Sequence, residues 1–171
     1  RDELTGLINR RHMLELLEQE RQRCVRSGHS FCVALIDIDH FKRINDTYGH
    51  PVGDVVLRGL AQLIVNTVRT TDIVARYGGE EIMVITPSTP VKTAAQLAER
   101  LRKAVEEAPL AIPADLHREL DKMRITVSIG VACFGRQAVD MKELIQNADK
   151  AMYQAKREGR NRVIVGCAPD G

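Results

Sequence analysis

The sequence has no tryptophan, only three phenylalanines and three tyrosines among its 171 residues, and almost no net charge. Its 25 Lys and Arg against 23 Asp and Glu leave a formal charge of +2, which gives no electrostatic reason to expect nucleic-acid or membrane-surface binding. No apolar run approaches the roughly 20 residues of a membrane-spanning helix, and no signal peptide is recognisable. The composition therefore predicts a globular chain with no nucleic-acid partner and no membrane segment.

The four cysteines lack the C-x-x-C spacing and the companion histidines of metal-binding fingers. Cys32 and Cys133 lie in apolar, strand-like runs, so we expect them to be reduced core residues. Reduced thiols indicate a reducing compartment, and we expect a cytoplasmic domain. A full-length protein could still be anchored to a membrane through regions outside this sequence.

The length and the 44% hydrophobic content suit one domain, residues 1–171, with a real core. The abrupt start at R-D-E-L-T, without an initiator methionine, suggests a piece excised from a longer multidomain signalling protein. The segment order β-α-β-β-α-β, with a helix before it and a helix and a strand after, predicts a mixed α/β (α+β) fold with a ferredoxin-like core. Predicted helices are 12–25, 51–68, 91–108 and 141–157; predicted strands lie within 30–39, 72–77, 81–86, 124–133 and 162–165; 109–121 is an irregular excursion.

The stretch R-Y-G-G-E-E-I, residues 76–82, joins two β-rich runs. Adjacent glycines between strands predict a two-residue hairpin turn in which both positions take a positive φ. Without side chains, Gly78 and Gly79 leave the backbone open to a ligand. Glu80 and Glu81 follow beside that space, and paired acids there suit a divalent cation that serves a phosphate substrate. Taken alone, the motif fits a plain polar hairpin equally well.

Further acids end the first strand, in D-I-D-H-F-K. In a split β-α-β sheet the first and third strands are antiparallel neighbours, so Asp37 is expected near Glu80 and Glu81. Carboxylates that converge in this way repel one another unless a cation lies between them. The alternative is an acidic strand end that faces water, but acids at both neighbouring strand ends favour the metal site.

The segment H-F-K-R-I-N-D follows as a predicted short helical turn, whose free backbone N–H groups and Lys42 suit phosphate oxygens. The amide of Asn45 and the carboxylate of Asp54 can read a base edge such as that of guanine, although a turn, a helix cap or a solvated helix surface explains them as well. Near the C-terminus, Lys156 and Arg160 lie about one helical turn apart. They either clamp phosphates or complement the helix dipole.

Five segments together resemble the GGDEF domain of bacterial diguanylate cyclases. They are D-E-L-T-G-L-I-N-R-R, D-I-D-H-F-K-R-I-N-D-T-Y-G-H-P-V-G-D, R-Y-G-G-E-E-I, V-S-I-G-V-A and A-D-K-A-M-Y-Q-A-K-R-E-G-R-N. They follow the order of the family over essentially the whole chain. The resemblance implies a nucleotidyl cyclase and polymerase-palm-like sheet surrounded by helices. It also implies condensation of two GTP molecules into cyclic di-GMP with release of pyrophosphate.

The resemblance further implies roles for individual residues. Mg²⁺, or Mn²⁺ in its place, is held by Asp37, the backbone carbonyl of Ile38 and Glu80. Glu80 or Glu81 helps to take the proton from the ribose 3′-hydroxyl. The implied substrate contacts are guanine at Asn45 and Asp54, with His50 in the same segment; phosphate at His40, Phe41 and Lys42; the open turn at Gly78 and Gly79; and the triphosphate at Lys156 and Arg160.

The resemblance also implies a dimer and an inhibitory site. One domain presents one GTP, whereas the product has two phosphodiester links, so catalysis requires a homodimer of facing domains. R-x-x-D, Arg69 to Asp72, corresponds to the inhibitory site that binds cyclic di-GMP, with Arg100 assisting. Taken alone, that segment fits a surface ion pair. An upstream sensor or receiver domain is implied in the full-length protein.

Two positions depart from the family pattern. Glu80 replaces an aspartate but keeps the carboxylate, and Ile82 replaces a phenylalanine at a position expected to face the core. We therefore expect activity. Two alternatives stay open: a catalytically silent receptor for GTP or cyclic di-GMP, and another metal-dependent nucleotidyl cyclase. The presence of Asp37, both glycines and both glutamates argues against the silent receptor.

Overall fold

The computed structural model describes residues 1–135 and 140–166, which form a central five-stranded sheet, a two-stranded ribbon and surrounding helices. None of the described helices is both long enough and apolar enough to cross a membrane. The elements are α1 (Arg10–Ser27), β1 (Phe31–Ile38), α2 (Phe41–Tyr48), α3 (His50–Thr67), β2 (Ile73–Arg76), β3 (Glu81–Thr86), α4 (Val91–Glu107), β4 (Leu110–Ala111), β5 (Lys122–Met123), β6 (Val127–Phe134), α5 (Met141–Arg157) and β7 (Arg162–Val165).

The strand order in the central sheet is β2-β3-β1-β6-β7. The central strand β1 is antiparallel to both β3 and β6, and β7 runs parallel to β6. The path β1-α3-β2-β3-α4-β6 is the ferredoxin-like core that the segment order predicted. The fold-class prediction is therefore confirmed, with α1 added before this core and α5 and β7 after it.

Every residue of β1 is buried, because helices cover both faces of the sheet. Successive side chains of a strand point to opposite faces. Ala34 and Ile36 join one core with α3 and α4, whereas Val33 and Leu35 join a second core with α1 and α5. Asp37 continues the second series, so its carboxylate lies on the α5 side at the end of the strand.

Two segments are more regular than the sequence predicted. The expected short turn after β1 is an eight-residue helix, α2, which ends at Gly49 with a φ of 88°. The expected irregular excursion contributes β4, which pairs with β5, and its Ile112 is buried in the same core as α3 and α4. Two-residue strands are too short to give a periodic pattern, which is why the sequence did not reveal this ribbon.

The structure joins Cys32 and Cys133 in a disulfide, so the prediction of reduced thiols at these positions is wrong. The two residues are register partners on β1 and β6. Directly opposed residues of an antiparallel pair lie on the same face with their side chains close together. Apolar runs in a sequence do not encode that register. The cysteines therefore no longer support the expectation of a reducing compartment.

Candidate active site

Acids from separate segments meet at one end of the sheet. Asp37, near the end of β1, is the register partner of Glu81, the first residue of β3. Glu80 precedes Glu81 in the hairpin loop, and its charge acts on both Asp37 and Glu81. Antiparallel pairing of adjacent strands brings Asp37 beside the two consecutive glutamates, which are more than 40 residues away in the sequence.

Burial and mutual repulsion alter the ionisation of these acids. Burial raises the pKa of Asp37 to about 6, with smaller contributions from Glu80 and Asp39 that Lys156 opposes. Burial also raises the pKa of Glu81, and neighbouring carboxylates add to the effect. A cation between these groups would favour their charged forms and relieve the repulsion.

A cation of the protein itself contacts the expected metal ligands. Lys156 Nζ lies 2.7 Å from Asp37 Oδ1 and 3.2 Å from the carbonyl oxygen of Ile38. It also lies 3.3 Å from Asp39 Oδ1. The resemblance assigned Lys156 to the triphosphate, whereas in this structure its ammonium binds the acids. One cation can therefore reach the oxygens of Asp37 and Ile38 together.

The donor set fits a hard divalent cation. Within residues 1–135 and 140–166, no group of three or more His, Cys, Asp or Glu side chains is arranged to hold a metal ion alone. The predicted set is smaller, with Asp37, Glu80 and the backbone carbonyl of Ile38. Mg²⁺ keeps several water ligands and binds through one or two carboxylates plus substrate phosphates, so such a set suffices.

The second acid of D-I-D, Asp39, is held by protein donors on all sides. Its buried carboxylate accepts hydrogen bonds from Thr126 Oγ1 and Ser128 Oγ, each at 2.7 Å, and from the backbone N–H of Asn161 at 3.0 Å. Burial alone would raise the pKa of Asp39, but these hydrogen bonds hold it below its ordinary value. Asn161 and Arg160 both take left-handed backbone conformations, with φ of 46° and 65°. Asp39 thus holds the turn after α5 that contains Arg160 and Asn161, a role that the sequence did not indicate.

The hairpin turn differs from the prediction. The backbone N–H groups of Tyr77 and Gly78 both donate to the carbonyl of Glu81, at 2.8 and 3.2 Å, so residues 78–80 form a three-residue loop. Gly78 and Gly79 both lie in the described part of the chain and neither has a positive φ, so the two-residue turn was wrong. The turn is open at Gly79, where an added Cβ would meet no atom within 4 Å, but not at Gly78, where it would lie 3.0 Å from Glu81 Oε2, so the predicted openness holds for one glycine of the two.

Arg76 holds this loop. Its guanidinium donates to the carbonyl oxygens of Gly78, at 3.2 Å, and Gly79, at 2.9 Å. The same group forms an ion pair with Asp2, with Nη1 3.0 Å from Oδ2. Both residues belong to motifs quoted above, but sequence spacing gave no sign that they meet.

The loop borders a cleft that α2 and α3 complete. Its lining includes Phe41, Lys42, Asn45, His50, Asp54, Gly79 and Glu80, all assigned above from the resemblance, and also Asp46, Leu57 and Arg76. Four of the predicted substrate-binding residues lie outside this lining. His40 precedes α2 with a φ of 58°, and Gly78 lies beside the Glu81 side chain. Lys156 contacts Asp37 and Asp39, and Arg160 follows α5 with a φ of 65°.

One wall of the cleft contains an unpaired amide oxygen. Asn45 Oδ1 is buried and has no hydrogen-bond partner among the described residues. Gly53 of α3 lies so close that an added Cβ would overlap this oxygen. Glycine inside a helix lowers the stability of the helix by about 1 kcal/mol relative to alanine. The close approach of Asn45 explains why position 53 is nevertheless a glycine. A glycine within a helical pattern was the signal by which the sequence could have identified Gly53.

The R-x-x-D segment lines a second cleft. Arg69, Asp72 and Arg100 lie there with residues of β3 and α4. Asp72 Oδ2 accepts a hydrogen bond from the backbone N–H of Arg69 at 2.9 Å, which closes the segment as a turn. Arg100 Nη2 donates to the carbonyl of Thr67, at the end of α3, at 3.0 Å. The strand β2 begins at Ile73, one residue later than predicted.

Known proteins are similar to this chain in sequence and in fold. The family model described as "Diguanylate cyclase, GGDEF domain" matches residues 1–162. The response regulator PleD of Caulobacter vibrioides is 42% identical over 163 residues, which cover 95% of this chain and 35% of PleD. The chain thus spans about a third of the length of that curated relative.

Solved structures give the same result. The GGDEF domain of DgcB from Caulobacter crescentus, in complex with c-di-GMP, has a TM-score of 0.89 and 36% identity, with coverage of 96% of this chain and 94% of that one. The active GGEEF domain of a diguanylate cyclase from Vibrio cholerae has a TM-score of 0.85 and 32% identity, with coverage of 96% and 100%.

Proposed function

The chain belongs to the GGDEF family, and from this membership we propose that it is a diguanylate cyclase that condenses two GTP molecules into cyclic di-GMP and releases pyrophosphate. The observation that carries the proposal is the register of Asp37 with Glu81. It places acids of two adjacent strands beside the cleft that Glu80 lines. A neighbour with the same G-G-E-E variant is named as active, which supports a working carboxylate at Glu80.

Asp37, the carbonyl of Ile38 and Glu80 are the residues that would hold Mg²⁺, or Mn²⁺ in its place. When bound, such ions stabilise charge on the attacking and leaving oxygens and ease loss of the 3′-hydroxyl proton. The contacts of Lys156 support this set, because one cation reaches the Asp37 carboxylate and the Ile38 carbonyl together.

Glu80 or Glu81 would accept the proton of the ribose 3′-hydroxyl. The raised pKa of Glu81 makes it a stronger base than an ordinary carboxylate once it is ionised. Both residues flank the open backbone of Gly79, where no side chain obstructs the approach of a ribose.

The nucleotide would lie in the cleft between the glycine loop, α2 and α3. Asn45 and Asp54 would contact guanine, with His50 beside them, because all three residues line this cleft and carry groups that can pair with the N–H donors and acceptors of a base. The phosphates would lie at the start of α2, against backbone N–H groups and Lys42. Lys156, in α5, and Arg160, in the turn that follows it, would neutralise the triphosphate.

Catalysis would require two copies of the domain that face each other in antiparallel fashion, since each presents one GTP and the product has two phosphodiester links.

Product would bind at Arg69, Asp72 and Arg100. Asp72 precedes Gly78 by six residues, roughly 20 Å of extended chain, so the product would not overlap GTP and inhibition would be non-competitive.

The full-length protein would place this domain behind a sensor or receiver region. The support is the coverage, about a third of PleD, a protein named as a response regulator. The 171 residues would form one domain of that larger chain.

Incubation of the protein at high concentration with GTP and Mg²⁺, followed by chromatography, tests the proposal. We expect cyclic di-GMP and pyrophosphate, no turnover with Asp37→Asn, and normal turnover with Asp115→Asn, whose side chain is exposed in the 109–121 segment. Bound nucleotide without turnover would favour the silent receptor. Cyclic GMP as the sole product would favour another nucleotidyl cyclase.

A further inference from the structure

The ammonium of Lys156 lies against three oxygens at the end of β1. The distances are 2.7 Å to Asp37 Oδ1, 3.2 Å to the carbonyl oxygen of Ile38 and 3.3 Å to Asp39 Oδ1. The side chains are largely shielded from solvent, with exposed fractions of 21% for Lys156, 11% for Asp37 and 1% for Asp39. Such a partly buried contact is screened much less than a surface ion pair.

The two acids are not equivalent partners of Lys156. Asp39 also receives hydrogen bonds from Thr126, Ser128 and the backbone of Asn161, so its charge is satisfied without the lysine. In the described part of the chain, the side chain of Asp37 receives its hydrogen bond from Lys156. Removal of the ammonium therefore leaves Asp37 without a counter-ion, while Asp39 keeps three donors.

The oxygens that Lys156 contacts include the expected ligands of the catalytic cation. Mg²⁺ binds oxygen at about 2.0–2.1 Å, which is closer than the ammonium lies to the same two atoms. Two cations this close would repel each other strongly. The ammonium and a divalent ion bound to Asp37 and Ile38 thus compete for one position.

We infer that Lys156 is the exchangeable counter-ion of the candidate metal site. When a divalent ion binds Asp37 and the Ile38 carbonyl, Lys156 turns away from them toward the phosphates, while Asp39 keeps its hydrogen bonds from Thr126, Ser128 and Asn161. This inference rests on the proposed function and adds a consequence to it. Metal binding without nucleotide is weak, because it displaces the ammonium of Lys156 from its acids and leaves it without a new partner. The triphosphate of bound GTP supplies that partner and so strengthens metal binding.

Mn²⁺ titration without nucleotide, followed by the electron paramagnetic resonance of the free ion, tests the exchange. Lys156→Met removes the competing charge at similar side-chain length and should bind Mn²⁺ roughly tenfold more tightly than the wild type. Lys156→Arg keeps the charge and should not bind more tightly. Lys150→Met, an exposed position of the same helix, is the matched control and should equal the wild type.

Equal or weaker Mn²⁺ binding by folded Lys156→Met, as judged by circular dichroism, overturns the inference. A second measurement uses the wild type with ¹³C-labelled lysines, in which the Lys156 signal is identified by its loss in Lys156→Arg. That signal should shift on addition of Mg²⁺ alone, and an unchanged signal at saturating Mg²⁺ overturns the inference too. The KM for GTP of Lys156→Met distinguishes the exchange from the proposed contact of Lys156 with the triphosphate. Tighter Mn²⁺ binding with an unchanged KM supports the exchange and contradicts only the triphosphate contact.

Discussion

Arg76 and Asp2 form an ion pair, with Nη1 3.0 Å from Oδ2, that connects the N-terminal segment to the glycine loop of the candidate active site. The guanidinium also donates to the carbonyl oxygens of Gly78 and Gly79. The two side chains of the pair are only 22% and 19% exposed, so solvent screens the contact in part. The loop that carries Glu80 is thus attached to the N-terminal segment of the chain.

Asp2→Asn tests this attachment. We expect the free energy of unfolding to fall by about 1–2 kcal/mol, in line with hydrogen bonds to charged groups. We also expect cyclic di-GMP synthesis to slow, because the loop loses its tether. Urea unfolding and product formation measure the two effects, with the exposed Glu3→Gln as the control. A change of equal size in both variants would contradict the role of the pair.

The pH dependence of the same variant provides a separate prediction. Burial would raise the pKa of Asp2, but hydrogen bonds from Thr5 and the charge of Arg76 lower it below the ordinary value of 3.8. A lowered folded-state pKa stabilises the protein above the unfolded-state pKa, and this contribution is lost as pH falls through the folded-state pKa. The stability difference between wild type and Asp2→Asn should therefore shrink below about pH 4. A difference that persists at lower pH would count against the pair.

Asp37→Asn should abolish synthesis but stabilise the metal-free protein at neutral pH. The folded-state pKa of Asp37 is about 6 and the ordinary value is 3.8, so the folded state binds the proton more strongly and stability falls as pH rises between these values. Asparagine carries no charge to bury, so we expect the free energy of unfolding to increase by about 1–3 kcal/mol at pH 7.5. Urea unfolding with a chelator at pH 7.5 and at pH 4 measures the gain, which should nearly vanish at pH 4.

Gly53→Ala should weaken GTP binding. The new Cβ would overlap Asn45 Oδ1, so the amide must move away from the cleft wall. We expect the KM for GTP to rise at least tenfold, consistent with about 1.4 kcal/mol for a lost contact, with a smaller change in kcat. Gly59→Ala, in the same helix and near the Leu110 side chain rather than the cleft, is the matched control. Equal KM values for the two variants would remove Asn45 from substrate binding.

Arg69→Ala should relieve product inhibition and leave the KM for GTP unchanged. Arg69 lines the second cleft with Asp72 and Arg100, apart from the cleft of the glycine loop. Initial rates at increasing cyclic di-GMP, together with calorimetric binding of the product, measure the effect. The exposed Arg118→Ala is the control. Unchanged inhibition and product binding in Arg69→Ala would show that the product binds elsewhere.

Local patterns were sufficient to predict the ferredoxin-like core, with its first and third strands as neighbours, and the meeting of the acids. Once the hairpin placed β3 antiparallel to β1, the end of one strand had to lie beside the start of the other, and Asp37 is indeed opposite Glu81. Ile82 is fully buried, as its alternation with Glu81 predicted. These relations follow from the strand period and from chain connectivity, both of which a sequence displays.

Relations that depend on exact register or on side-chain rotamers were not predictable. Whether Glu80 belonged to the loop or to the strand decided the turn type, and the sequence did not distinguish them. The pairing of Cys32 with Cys133 required the register of β1 against β6. The partner of Lys156 required the position of α5 over the strand end, which the resemblance to substrate-binding residues obscured.

The arrangement of this cleft separates two tasks among different structural layers. The acids that we assign to the metal ion and to proton transfer lie at the end of β1 and at the start of β3, and Asp37 among them is buried. The side chains that we assign to the base come from α2 and α3, which cover only one face of the sheet. Substitutions in α2 and α3 can therefore change the nucleobase preference without altering the acids on the strands. Such a scaffold is well suited to evolutionary change of substrate.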